Sequence, residues 1–207
     1  MPNDGNNGSF AGKNVPDEMH MFGTVLALHE LLLKRRFSMG TSKDLNVYTV
    51  NGSLHAGISL SNKWSVIEVM TKVLADTYYI YLKTQNYHWN VTGSNFLTLH
   101  ILFEEQYTQL AEAVDIIAER LRSLGAHAPG SFSEFLRLTS FQEEEDVATL
   151  DVVMLERLAS ANEFMIKELR DYIIFLNNTN DESTKDILIH RLKHHEKNVW
   201  FLRSFLI

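Results

Sequence analysis

"SNFLTLHILFEEQYTQLAEAVDIIAERLRSLG", residues Ser94–Gly125, is the stretch on which the fold turns. Projected at roughly 100° per residue from His100, its residues Leu99, Phe103, Leu110, Val114, Ile117 and Leu121 fall between about 260° and 320°. That is the apolar stripe of a single long helix over Ser94–Leu124, with Gly125 placed to end it as the C′ residue. His100, Glu104, Asp115 and Glu119 fall between about 0° and 100°, on a face that is not the core face. The small residues Ala111 and Ala118 lie alongside them and allow another helix to come close.

Three more long helical patterns surround this one. They run over Ser61–Tyr87 with Ser61 as N-cap, over Asp146–Leu176, and over Glu182–Leu206 capped by Asp181 or Asn180. Between the second and third lies "GAHAPGSFSEFLRLTSFQEEE", whose Pro-Gly break precedes a short helix over Ser131–Leu138. Two hairpins joined by a long connection describe an all-α, ferritin-like four-helix bundle whose crossover carries a short extra helix. The bundle domain is expected over 61–207. Residues 1–60 read as an N-terminal extension, with an Asn- and Gly-rich tail and a short helix over 20–37.

Composition narrows the chemistry. The formal net charge is −7, which favours cations over phosphates as partners. There are no cysteines, so any metal must be held by imidazole and carboxylate, a donor set that suits iron, manganese or zinc. No apolar run is long enough to cross a bilayer. The apolar segment Met21–Leu33 carries its charges after rather than before it, unlike a secretory signal, and a cytoplasmic protein is expected.

A metal site inside the bundle would need Glu-x-x-His pairs facing inward from two helices. No Glu is followed by His three positions later. The ligand face of the second helix has a further peculiarity. His100 and Glu104 stand one turn apart, as do Asp115 and Glu119, but the two pairs are roughly 22 Å apart along the axis. One chain cannot close both pairs on one ion. Two antiparallel copies can, and a two-fold dimer then contains two identical sites. His88, placed just past the first helix, is positioned to join His100 through the Gly93 turn. The plainer readings are that Glu119 pairs with Arg120 or Arg122, and that Trp89 and Phe96 only pack.

The stretch His88–Gly125 has His-Trp-Asn-Val, then Gly and Phe, Leu-His, Phe with acidic residues, and finally Asp and Ala-Glu-Arg. It resembles the Dps family, the mini-ferritins named as DNA-binding proteins from starved cells, and so does the closing stretch His195–Leu206. The resemblance covers about 61–206. It implies a dodecameric shell built from two-fold dimers, with intersubunit ferroxidase sites and a ferric mineral stored inside. His88, His100 and Glu104 would come from one subunit, and Asp115 and Glu119 from its partner, with Glu119 bridging two irons. Many members carry Asp where Glu104 stands; the longer arm keeps the same donor. Trp89 would lie beside the site and supply an electron. Two Fe(II) would be oxidised together by hydrogen peroxide, or more slowly by dioxygen.

Asp181, Glu182 and Asp186, at the start of the fourth helix, resemble the family's acidic iron-entry pore; the plainer reading is the usual acidic bias of a first helical turn. His190, His194 and His195 are not taken as ligands. DNA binding and compaction is the alternative function. In the family, mobile basic tails usually carry it through phosphate contacts. Residues 1–47 hold five cationic and five acidic side chains, and only Lys34–Arg36 is locally basic. From Met39 onward the chain looks like an ordinary start for the family, so Met39 is expected as the initiator, and a native peptide from within Asn3–Arg35 would refute that.

Overall fold

The computed structural model describes residues 60–144 and 146–207. Five helices lie among them: α1 (Leu60–Asn90), α2 (Phe96–Ser123), α3 (Phe132–Leu138), α4 (Asp151–Leu176) and α5 (Glu182–Ser204). α1 packs along α2 and α4 along α5; α1 also meets α4, α2 meets α5, and α3 rests on α1. The ferritin-like bundle with its helical crossover is thus the observed architecture. The N-terminal extension, its helix over 20–37 and the Lys34–Arg36 cluster lie outside the described residues.

Most of the apolar stripe of α2 is buried as expected: Leu99, Phe103, Leu110, Ile117 and Leu121 face the core, joined by Gln106 and Ala113, while Val114 is only half-buried. Leu99 and Phe103 share one cluster with Tyr87 near the end of α1, Val91 just past it, Leu155 and Leu158 of α4, and Leu202 of α5. Gly125 ends α2 with φ at +83°, a conformation an L residue adopts only with strain. The Ala126 N–H donates to the Leu121 carbonyl and the Gly125 N–H to that of Arg122, satisfying two of the helix's last carbonyls. Ser131 caps α3 reciprocally with Glu134.

Several boundaries differ from the sequence expectation: α1 begins at Leu60, so Ser61 lies inside it rather than capping it, α2 begins at Phe96 rather than Ser94, and α5 ends at Ser204 rather than Leu206. α1 continues three residues beyond Tyr87, so His88 sits within its last turn rather than past it. α4 begins at Asp151, not Asp146. The acidic run before it looks like a helical first turn, but basic residues of α1 and α4 hold it in place instead. Glu144 pairs with Lys83 at 2.8 Å and Arg157 at 3.0 Å, and Asp146 pairs with Arg157 at 2.6 Å. Further back, buried Asp76 of α1 accepts from the Thr139 and Ser140 hydroxyls and the Ser140 N–H, which pins the crossover to α1.

The interior is polar around His195 as well. His195 of α5 is fully buried. Its Nδ1 donates at 2.7 Å to Asn162 Oδ1 of α4, whose amide nitrogen donates onward to the Leu158 carbonyl. Burial, the Arg191 charge and neighbouring His194 hold the His195 imidazole well below its usual titration range. Below about pH 6.5 the unfolded chain therefore takes up a proton that the folded chain refuses. Stability should accordingly be full above that pH and fall as the pH drops, by up to about 1.4 kcal/mol per unit. Urea unfolding of the native chain and of His195→Gln, at about pH 7.5 and 5.5, checks this: the variant should lose less stability on acidification. Parallel losses in the two proteins would contradict it.

Candidate metal centre

The turn between α1 and α2 comprises residues 91–95. Gly93 takes φ of +104° there, and the Phe96 N–H donates back to its carbonyl. This reversal lays the start of α2 against the end of α1 and sets His100 beside His88. Near the C-terminus of a helix, backbone carbonyls lack intrahelical donors. The His88 carbonyl accepts from His100 Nδ1 at 2.9 Å instead. The tether is reciprocal, since His88 Nδ1 donates to the His100 carbonyl, also at 2.9 Å.

The two rings stack with centroids 3.8 Å apart and planes 19° from parallel. Tyr107 meets His88 edge-on at 5.1 Å, and Phe96 lies against His100 at 5.2 Å. Because a carbonyl oxygen only accepts, each Nδ1 must carry the proton. In a neutral ring that tautomer leaves the Nε2 lone pair free, the form in which imidazole ligates a metal with its other nitrogen fixed by a hydrogen bond.

His88 is buried and His100 half-buried, whereas Glu104, Asp115 and Glu119 are exposed. The chain therefore brings the two imidazoles together, places Glu104 one turn further on, and leaves Asp115 and Glu119 far along α2. No three His, Asp or Glu side chains converge among the described residues. The plainer account of Glu119 finds no support in the arginines beside it. Arg120 turns away to Asp181 at 2.7 Å and Thr184 at 2.9 Å, and Arg122 donates to the Ala126 carbonyl. Trp89 is 61 % exposed, next to His88 in sequence, so it is not a core packing residue of this chain.

The three acidic residues at the start of α5 separate into two kinds. Asp181 is buried and is the N-cap of α5. Its carboxylate accepts from the Thr184 N–H and hydroxyl and from Arg120. This corrects its reading as a pore residue: its oxygens are occupied by the chain's own donors. Glu182 and Asp186 are exposed, and Glu182 lies 3.5 Å from Lys185. The reciprocal imidazole tether went unread in the sequence; the twelve-residue spacing of the histidines across a Gly turn was its only trace.

Residues 67–207 match the family described as ferritin-like domain, which defines the class of protein. Within that class, the chain is 38 % identical over 141 residues to DNA protection during starvation protein 2 of Bacillus anthracis, covering 68 % of this chain and 96 % of the relative. DpsC from Streptomyces coelicolor superposes with a TM-score of 0.73 at 28 % identity, covering 77 % of this chain and 92 % of that one. The Dps protein of Vibrio cholerae O1, titled a member of a broad superfamily of ferritin-like diiron-carboxylate proteins, superposes with a TM-score of 0.71 at 28 % identity, over 77 % and 99 % of the two chains. This chain belongs to the Dps family.

Proposed function

We propose that the protein stores and detoxifies iron, oxidising Fe(II) to Fe(III) at sites shared between two subunits and keeping the ferric product inside a dodecameric shell. The observation that carries this reading is the His88–His100 tether, which holds two imidazoles of one chain side by side while the exposed Asp115 and Glu119 stand too far off to join them. Two-fold pairing supplies the second half and gives each dimer two equivalent centres.

Iron is the substrate. His88, His100 and Glu104 hold it from one subunit, and Asp115 and Glu119 from the other, with Glu119 bridging two ions. The anionic oxygens stabilise the higher charge of Fe(III). Two irons each give one electron to a single hydrogen peroxide, whose O–O bond breaks and which takes two protons from solvent to leave as two waters, so no hydroxyl radical is released. Dioxygen is the slower oxidant. Exposed Trp89 lies beside the centre and supplies an electron when the pair is incomplete. Iron enters past Asp186 and Glu182, whose carboxylates attract the cation. Stopped-flow Fe(II) oxidation tests the centre: Asp115→Ala with Glu119→Ala should slow it at least roughly tenfold while the assembly persists, since even a ligand's supporting contacts are worth that much. An unchanged rate would refute the assignment.

Consuming Fe(II) and peroxide protects DNA without touching it. No described helix is long and apolar enough to cross a membrane, and we assign the shell to the cytoplasm. Direct DNA compaction is the competing role. The balanced charge of residues 1–47 predicts little retardation of duplex DNA at physiological salt. Strong, salt-sensitive retardation in a gel would favour compaction instead.

A further inference from the structure

We propose that the groove between α2 and α5 binds one divalent transition-metal ion of the zinc class, held by the imidazoles of His190 and His194 and the carboxylate of Glu112. The three imidazoles of α5 separate in the structure. His195 turns inward to Asn162. His190 and His194 instead line a groove of about 230 Å³, together with Glu112 and Asp186. They stand one turn apart on α5, where side chains four positions apart are neighbours. Their ring centroids lie 4.5 Å apart, with the planes 63° from parallel. Neither ring has a hydrogen bond or ion pair among the described residues. His190 is exposed and His194 half-buried, and the torsion that turns an imidazole is broad, so each ring can present a nitrogen to a shared ion.

The third donor comes from the opposite wall. α2 and α5 run antiparallel: Arg120, near the end of α2, meets Thr184 at the start of α5, while Leu99 and Leu202 share a cluster at the other end. Glu112, eight residues before Arg120, therefore lies near the level of His190, six residues after Thr184. Its carboxylate is exposed and has no ion pair among the described residues. No three of these side chains converge in the structure, so a turn of the Glu112 side chain is what closes the site. Charge and donor type then select the ion. Asp186 adds a second carboxylate to the groove, and Arg191 and Lys197 are the cations facing His194. The charges nearly balance, so neutral nitrogen donors decide affinity. Imidazole suits zinc and its neighbours, whereas calcium and magnesium take oxygen ligands. None of the residues assigned to iron oxidation lines this groove, and the site does not depend on that assignment.

Equilibrium dialysis of the assembled full-length protein against zinc chloride, with the bound metal counted by atomic absorption, tests the site. The background is His88→Ala with His100→Ala, which removes the imidazoles of the other centre. Adding His190→Ala with His194→Ala should lower the zinc count by one ion per chain. Glu112→Gln in the same background should weaken that ion by roughly tenfold, as even a ligand's supporting contacts do. Calcium at matched concentration should not displace it. Crystals soaked in zinc should show an anomalous peak against both imidazoles of α5. An equal zinc count with and without those imidazoles would overturn the proposal. So would undiminished affinity in Glu112→Gln, displacement by calcium, or only water at the histidine pair in the soaked crystal.

Discussion

Co-refolding two inactive variants should restore iron oxidation. One variant carries His88→Ala with His100→Ala, and the other Asp115→Ala with Glu119→Ala. Each homodimer lacks one half of every site, so each assembly alone should oxidise Fe(II) at least roughly tenfold more slowly than the native protein. A mixed dimer differs. One of its two sites combines both lesions, while the other combines the intact imidazole pair of one subunit with the intact carboxylates of its partner. With random equimolar pairing, half the dimers are mixed and half of their sites are whole, so about a quarter of native activity should return. Stopped-flow absorbance after co-refolding measures this, with a tag on one variant to confirm mixing. Mixed assemblies with no recovered activity would show that the two halves do not meet between subunits. Undiminished activity in either single assembly would show that the residues are not ligands. The experiment separates a shared site from a site within one chain, which loss of activity in a single variant cannot do.

The largest effect on folding should come from Asp181→Ala. This carboxylate joins three jobs: it caps α5, accepts the Thr184 hydroxyl, and neutralises Arg120 of α2. Losing an N-cap costs about 1 kcal/mol by itself. Removing one member of a buried ion pair costs about 3–5 kcal/mol, because the other charge stays behind unpaired. The Arg120 side chain is 16 % exposed and that of Asp181 1 % exposed, which places the pair near the lower end of that range. Urea unfolding at fixed protein concentration gives the comparison, since assembly contributes to apparent stability. Asp181→Asn keeps an acceptor for the cap and loses only the charge, so it should fall between the native chain and the alanine variant. A loss below about 1 kcal/mol for Asp181→Ala would mean that Arg120 finds another anion.

The bundle was legible because α2 separates its apolar residues from its acidic ones so cleanly. The same separation set His100, Glu104, Asp115 and Glu119 on a face that points outside the bundle. Where the reading slipped, long-range contacts decided the outcome. The Glu143–Asp146 run resembles a helix start, and only Lys83 and Arg157, distant in sequence, show why α4 waits until Asp151. Asp181 was grouped with Glu182 and Asp186 by sequence proximity, but Arg120, sixty-one positions upstream, draws it inward. His195 was set aside as a ligand, but its burial went unread for another reason. Leu188, Arg191, His195, Asn198 and Leu202 form a buried stripe at helical spacing, but its middle is polar, so an apolar pattern passes over it. The Nδ1–carbonyl tethers of His88 and His100 could not be read at all, because they depend on where α1 stops.

That dependence gives the short turn after α1 an influence out of proportion to its chemistry. Residues 91–95 offer none of the ligands assigned to iron, but they fix the rotational phase of α2 relative to α1. Each added residue would turn the following helix by roughly 100°, swinging the second imidazole off the first and breaking both carbonyl tethers together. Loop insertions are ordinarily the changes a fold tolerates best. In this protein the hairpin's length is a dimension of the proposed metal site, and a single inserted residue should slow the proposed iron oxidation while every assigned ligand remained in the sequence.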